Sequence, residues 1–381
     1  MKVRLKELGE IITGNTPSKK IKEFWNSEDI YFIKPDIIED SGVNEISETN
    51  EYISEEARKK ARIVTKKSIF VTCIGSIGKI GIASAGEYAF NQQINAIVPN
   101  EKVQSKYLAY NLLYNKPRLV AMANAPVVPI INKRQFGEFI VNIETDIGRQ
   151  VKIVNVLDRL THIIRLSKQE LEKLDELIKA RFVEMFGDPV SNSRGLPEAT
   201  LPELGEFGRG VSKHRPRNDP KLLGGKYPLI QTGDVASADL YITSYTGTYS
   251  DLGLAQSKMW DEGTLCITIA ANIAKTAILG FDACFPDSVV GFRANEKTNN
   301  IYIHYWFSFF QRILEAQAPE SAQKNINLKS LSELRVIYPT KEEQDAFAAF
   351  VAEVDKSKVA VQKALDETQT LFDSLMQEYF G

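Results

Sequence analysis

The chain has 381 residues, is 43% hydrophobic and 25% charged, and carries a net charge of −2. That length points to two domains, and the composition is that of an ordinary globular protein rather than a fibrous or disordered one. Cys73, Cys266 and Cys284 are odd in number and form no close pair, which points to a reducing cytoplasm; with only three histidines (His162, His214, His304) no Cys/His zinc spacing can be assembled. The opening "MKVRLKELGE" has no apolar core of a signal peptide, and no run approaches the ~18 apolar residues of a membrane span.

In chain order, β-rich runs at 30–33, 69–74 and 96–98 predict strands, 105–115 a helix and 139–143 a further strand. A long amphipathic helix follows from Ile153. The series then starts again: strands at 228–232, 265–270 and 289–292, a helix at 300–316, a strand at 335–338 and a second long helix from Phe347. "AGEYAF" (85–90) and "FPDS" (285–288) have the composition of turns.

Shifting the sequence by about 195 residues aligns it with itself. "LKELGEI" (5–11) meets "LPELGEF" (201–207), and "SIFVTCIGSIGKIGIA" (68–83) meets "TLCITIAANIAKTAIL" (264–279). "YLAYNL" (107–112) meets "YIHYWF" (302–307), "INKRQF" (131–136) meets "INLKSL" (326–331), and "FVEMFGDP" (182–189) is echoed by the closing "MQEYFG" (376–381). A period this long means a duplicated unit, each copy an α+β globule followed by a long helix.

In each long helix the apolar residues recur in steps of four and three. The first seam is Ile153, Leu157, Leu160, Ile164, Leu171, Leu174, Ile178 and Met185, interrupted by Ser167 and Arg181. The second is Phe347, Val351, Val354, Val361, Leu365, Phe372, Leu375 and Tyr379, interrupted by Lys358 and Thr368. A 3.5-residue period held this long predicts coiled-coil helices. Two helices of equal length and matched seam are expected to pair with each other, antiparallel, with the two globules related by a pseudo-twofold. Gly187 with Pro189, and Gly381, are helix stops.

Enzyme motifs are missing. "GSIGKIG" (75–81) is neither a phosphate loop, since Ile80 stands where Ser or Thr would bind magnesium, nor a dinucleotide fingerprint. It reads first as a tight turn, with a phosphate contact through Lys79 and its counterpart Lys275 as the second reading. No nucleophile elbow, zinc-protease motif or Asn/Asp-Pro-Pro-aromatic motif of adenine methyltransferases is present, so no catalytic or metal residue is assigned. Basic clusters do occur in the globules. They comprise Lys19, Lys20 and Lys22; Arg58, Lys59, Lys60 and Arg62; and, in the second copy, Arg209, Lys213, His214, Arg215 and Arg217. "GNTPSKK" and "GVSKHRP" both follow the matched "LGE", as loops entering a groove would. There Arg can fork onto guanine and Lys can neutralise phosphate.

This plan resembles the specificity subunit of type I restriction–modification systems. The resemblance is carried by the paired "LGE" starts, "CIGSIGKIGIA" with "FNQQINAIVP" (90–99), "INKRQF" with "INLKSL", "QVKIVNVLD" (150–158) and "EEQDAFAAFVAEVD" (342–355). It implies target-recognition domains at 1–145 and 188–341, and spacer helices at 146–187 and 342–381. It implies a non-catalytic cytoplasmic prokaryotic chain that reads an asymmetric bipartite double-stranded DNA target. Two methylation subunits and the restriction subunits would be its partners, and S-adenosylmethionine, ATP and magnesium would bind on those partners. The residues alone also allow a two-headed protein-binding scaffold without DNA. One departure stands out: "FPDS" replaces "FNQQ" in the second copy.

Overall fold

A computed structural model describes residues 1–123, 128–270, 273–317 and 326–381. Ala271 and Asn272, within the second copy's aligned turn, lie outside the described residues. The chain divides into two compact units, residues 1–169 with 361–381, and residues 170–360. The division does not follow the linear copies: each unit takes one half of each long helix.

The first unit is built on two sheets. A five-stranded sheet has the order 9–13, 94–99, 69–72, 80–83, 43–46, and a four-stranded sheet the order 52–53, 30–33, 87–90, 63–65. A two-stranded ribbon, Lys2–Arg4 with Ile140–Asn142, closes the globule, and Ser105–Tyr114 forms a helix. The second unit repeats this arrangement: 205–209, 289–294, 265–268, 276–279, 241–242 in one sheet; 247–249, 223–229, 283–284, 259–260 in the other; Glu198–Thr200 with Arg335–Ile337 as the ribbon; and a helix at Asn300–Gln317.

Two expectations are overturned. The strand expected at 228–232 is Leu223–Leu229, and Thr232 opens a short helix, Thr232–Ser237, capped by the Asp234 carboxylate accepting the Gln231 amide at 2.8 Å. "AGEYAF" is a turn only at its start: Glu87–Phe90 is a strand, parallel to Ile30–Ile33 and antiparallel to Ile63–Thr65. Glu and Ala have little strand preference, but Tyr88 is fully buried between the Tyr31 and Phe70 rings, and that packing decides the matter.

The glycine of each "LGE" is fixed by crowding. A Cβ at Gly9 would lie 2.3 Å from the Val98 carbonyl oxygen, and one at Gly205 would lie 2.1 Å from that of Arg293. The turn "GSIGKIG" joins the antiparallel strands Ile69–Thr72 and Ile80–Ala83. Buried Thr72 accepts the Lys79 amide on its hydroxyl at 3.0 Å, and Thr268 accepts that of Lys275 at the same distance.

Both long helices are 40 residues, Ile147–Phe186 and Lys341–Phe380. In the first unit Ile153, Leu157 and Leu160 are buried, Ser167 and Leu365 are also buried, and Ile164, Val361, Thr368, Phe372, Leu375 and Tyr379 are partly buried. Met376 and Phe380 enter the same apolar cluster as Ile153 and Leu157. In the second unit Ile178, Phe347, Val351 and Val354 are buried, with Leu171, Leu174, Arg181, Met185 and Lys358 partly so. There the two helix segments run antiparallel: Phe182 packs on Phe347, Arg181 lies over the Phe350 ring, and Asp175 pairs with Lys358.

Two residues outside the apolar seam lock the helix starts. Gln150 is fully buried; its carbonyl accepts the Gln104 amide at 2.7 Å, and its amide donates to the Glu144 and Lys102 carbonyls. Gln344 repeats the role, accepting from Thr298 Oγ1 and the Asn299 amide and donating to the Lys297 and Pro339 carbonyls.

Candidate nucleic-acid interface

Lys19, Lys20 and Lys22 in the first unit, and Lys213, His214, Arg215 and Arg217 in the second, follow the first strand of each five-stranded sheet; Arg58, Lys59, Lys60 and Arg62 lie on a separate turn. In both units a glycine lets the loop cross close to the second sheet. A Cβ at Gly14 would meet the Asn91 carbonyl oxygen at 2.1 Å, and one at Gly210 would meet that of Phe285 at 2.3 Å. Phe90 and Phe285 are equivalent buried anchors under these crossings, so "FPDS" occupies the place of "FNQQ".

In the first unit the two basic clusters are brought together. Asn15 donates to the Lys60 carbonyl at 2.6 Å and accepts the Arg62 amide at 2.8 Å, while the turn Lys22–Trp25 packs on the turn Glu55–Lys60 through Ser54. Lys19 pairs with Glu51 at 3.1 Å and lies 5.0 Å from the Trp25 ring centroid. Burial works to raise the Glu51 carboxyl, but bonds from Lys34 and Lys19 outweigh it and hold it below its ordinary range. Arg58 spans Glu87 and Glu55; these bonds, Glu87 first, hold its guanidinium above the ordinary value. Arg62 donates to the Thr13 carbonyl. Lys20, Lys22, Lys59 and Lys60 are exposed, and among the described residues their ammoniums have no partner. These four lysines are therefore exposed and not committed to an ion pair among the described residues, which suits contact with a polyanion.

The second unit's loop is organised differently. Arg217 pairs with Asp287, and Arg215 approaches the same carboxylate at 3.6 Å. Arg215 also donates to the Ser212 and His214 carbonyls at 2.6 and 2.8 Å. His214 lies 3.2 Å from Asp219, and its backbone amide bonds the Gln256 side chain. The bond from the Lys221 amide, helped by the His214 side chain, outweighs burial and holds Asp219 below the usual carboxylate range. Arg209 and Lys213 are exposed and unpaired among the described residues.

Lys79 and Lys275 belong to neither cluster and lie on the turns of the five-stranded sheets. Lys79 donates to the Pro35 carbonyl at 3.2 Å, and Lys275 is exposed. Sequence reading missed Asp287 and Glu51. An acidic residue reads as ordinary surface until the fold sets it beside a cation 32 to 72 positions away.

Residues 1–176 and 198–368 match the type I restriction modification DNA specificity domain, and the chain belongs to that family. Among curated relatives it is 34% identical over 109 residues to the HindI specificity subunit of Haemophilus influenzae, covering 28% of this chain and 23% of that one. It is 30% identical over 190 residues to the MjaIX specificity subunit of Methanocaldococcus jannaschii, covering 49% and 43%. With the same organism's putative MjaX specificity subunit it shares 21% over 349 residues, covering 84% and 80%. The matched stretch thus spans less than half the length of the first two relatives. The type I restriction-modification S subunit of M. genitalium shares the fold, with TM-score 0.61 at 15% identity, covering 100% of this chain and 96% of that one. A chain from a structural study of complex assembly and conformational transition of the type I R-M system gives 0.58 at 16%, covering 100% and 97%.

Proposed function

We propose that this chain is the DNA-reading subunit of a type I restriction–modification complex, with each unit selecting one half of an asymmetric, bipartite double-stranded target. One observation carries the reading: two units share the same pair of sheets yet present unlike polar loops after Gly14 and Gly210, lysine-rich in one and arginine-rich in the other. A shared framework with different contact residues is what two different half-sites require.

On this reading the chain is non-catalytic and works in the prokaryotic cytoplasm. It scaffolds two methylation subunits and the restriction subunits, which bind S-adenosylmethionine, ATP and magnesium. No helix among the described residues is long and apolar enough to cross a membrane. Methylation-aware sequencing of DNA from cells carrying the system should recover two unlike half-sites separated by a non-specific spacer. A single continuous or palindromic motif would contradict the proposal.

A further inference from the structure

In the first unit the loop after Gly14 is tied to the turn following Phe90 by a neutral contact: Thr16 donates to Gln92 at 3.0 Å. In the second unit the turn following Phe285 carries Asp287 in the corresponding place, and it holds Arg217 and Arg215. A neutral pair suffices to hold such a loop, so the charge at Asp287 needs another explanation. We infer that Asp287 is a positioning residue that orients Arg215 and Arg217 as a base-reading pair, selecting a guanine in the second half-site. The inference rests on the DNA-reading function proposed above.

A guanidinium presents five N–H donors in a fixed fork. Asp287 accepts from Nη2 of Arg217, and the Ser212 and His214 carbonyls both accept from Nη1 of Arg215, which leaves further donors on both side chains without a partner among the described residues. Both side chains are about half exposed, 54% for Arg215 and 45% for Arg217. A carboxylate shared by two arginines cancels part of the charge that would favour phosphate, while its bond to one terminal nitrogen of Arg217 limits the swing of that side chain. Orientation without full charge suits the paired acceptors O6 and N7 of guanine, which reward geometry. The exposed lysines of the first unit have the opposite character, full charge on flexible stems. A phosphate offers the same paired acceptors, and the experiment separates the two sources.

The test uses the full chain assembled with its methylation subunits, binding randomised duplexes over a range of salt, with bound sequences read out. Arg217→Lys keeps the charge and loses the fork. It should lower the preference for guanine at one position of the second half-site by about tenfold or more and leave the first half-site unchanged. Asp287→Asn should weaken the same preference and steepen the salt dependence, because a freed cation adds up to about 0.9 to the slope; Asp287→Glu should restore part of the preference. Loss of the carboxylate steepens the salt dependence whatever its role, so the readout that a purely structural role would not move is the guanine preference at a single position, with its partial return in Asp287→Glu. If Arg217→Lys left the base preference intact while Arg217→Ala weakened all sequences equally and flattened the salt dependence, the contact would be to phosphate and the inference would fail. An unchanged base preference in Asp287→Asn would overturn it as well. An intact first half-site preference in each variant shows that the chain is folded. Were the wild-type complex to select no bipartite target, the proposed function itself would fall, and this inference with it.

Discussion

The two units keep the same framework but fasten its polar edges differently. Gln150 and Gln344, Thr72 and Thr268, Tyr107 and Tyr302 all hold equivalent positions and make equivalent bonds or packing contacts. The ion clamps beside the long helices do not correspond. In the first unit Lys106, on the short helix, reaches Asp158 at 2.8 Å and Glu45 at 2.6 Å. In the second, the equivalent of Lys106 is Ile301, and the lysine comes instead from the C-terminal helix: Lys358 pairs with Asp175 and Asp239. Buried hydrogen bonds are held in common because losing one partner strands the other; ion pairs whose carboxylates stay in contact with water can be rebuilt from either side.

The strongest way to break the equivalence is to ask one half to complete itself. The first unit is finished by Phe372, Leu375, Met376, Tyr379 and Phe380, with Phe380 against Tyr107 at 5.1 Å. In the second unit Phe186 takes that role against Tyr302 at 5.2 Å. A fragment of residues 1–187 therefore carries a globule that lacks its second helix end, together with a helix end that lacks its globule. It should form a twofold homodimer in which each copy supplies Phe182 and Phe186 to the other, since each buried apolar side chain contributes about 1–2 kcal/mol. Light scattering or sedimentation decides this, and a well-folded monomer would break the equivalence.

Next come the glutamines. Gln344→Met keeps the volume and removes both hydrogen-bonding ends, stranding the Lys297 and Pro339 carbonyls and the Asn299 amide. The cost should be about 3 kcal/mol, since each unsatisfied buried group costs roughly 1–3 kcal/mol with partial relaxation. Gln150→Met should cost slightly less, because Gln150 makes three such bonds against four. Denaturant unfolding measures both, and a loss in only one unit would show that the correspondence is of shape and not of energy.

Most of this framework is legible in the sequence. The repeat, the paired seams and the helix stops are written in apolar periodicity and glycine, which depend on near neighbours. Gln150 and Gln344 stand at the same place in both copies, and their period is visible, yet a polar residue at a helix start gives no sign of burial. Glu87–Phe90 reads as a turn because its strand character comes from Tyr31 and Phe70, far away in sequence. The basic clusters are plain, but which cations stay free depends on Glu51, Glu87 and Asp287, and only the fold brings these together with them.

A smaller difference is tied to pH. His304 stands where the first copy has Ala109, and burial pushes its imidazole down to about 4, against a smaller opposing pull from Asp239. Its ring nitrogen lies 3.0 Å from Thr276 Oγ1. The unfolded chain binds the proton first, so stability should fall as pH drops from about 6.5 to about 4, by on the order of 2 kcal/mol. Asp355, raised by burial, acts in the opposite direction and blunts the effect. Thermal unfolding across this range should show the slope in the wild type and a flatter one in His304→Asn. An unchanged slope would show that the carboxylates, not the histidine, set the acid limit.

The smallest effect is expected at the ion clamps, where it also tests the comparison most finely. Burial works to lower the Lys358 ammonium, but bonds to Asp175 and Asp239 overcome it, so its folded value lies above the ordinary one. The stabilisation is therefore present at neutral pH and is lost only as pH rises through that value. Its size is limited because both carboxylates are open to water, Asp175 at 51% and Asp239 at 71% exposure, and they rehydrate when the lysine is removed. Lys358→Met puts an apolar side chain on the helix seam, and the net change should be within about 1 kcal/mol, with stabilisation an allowed sign. Lys106→Met differs in that Asp158 is more enclosed, at 34% exposure, and among the described residues keeps only the Tyr110 hydroxyl at 2.7 Å. It should destabilise by about 1 kcal/mol, more than its counterpart. If denaturant melts gave the reverse order, solvent access to the carboxylates would not be what separates the two clamps.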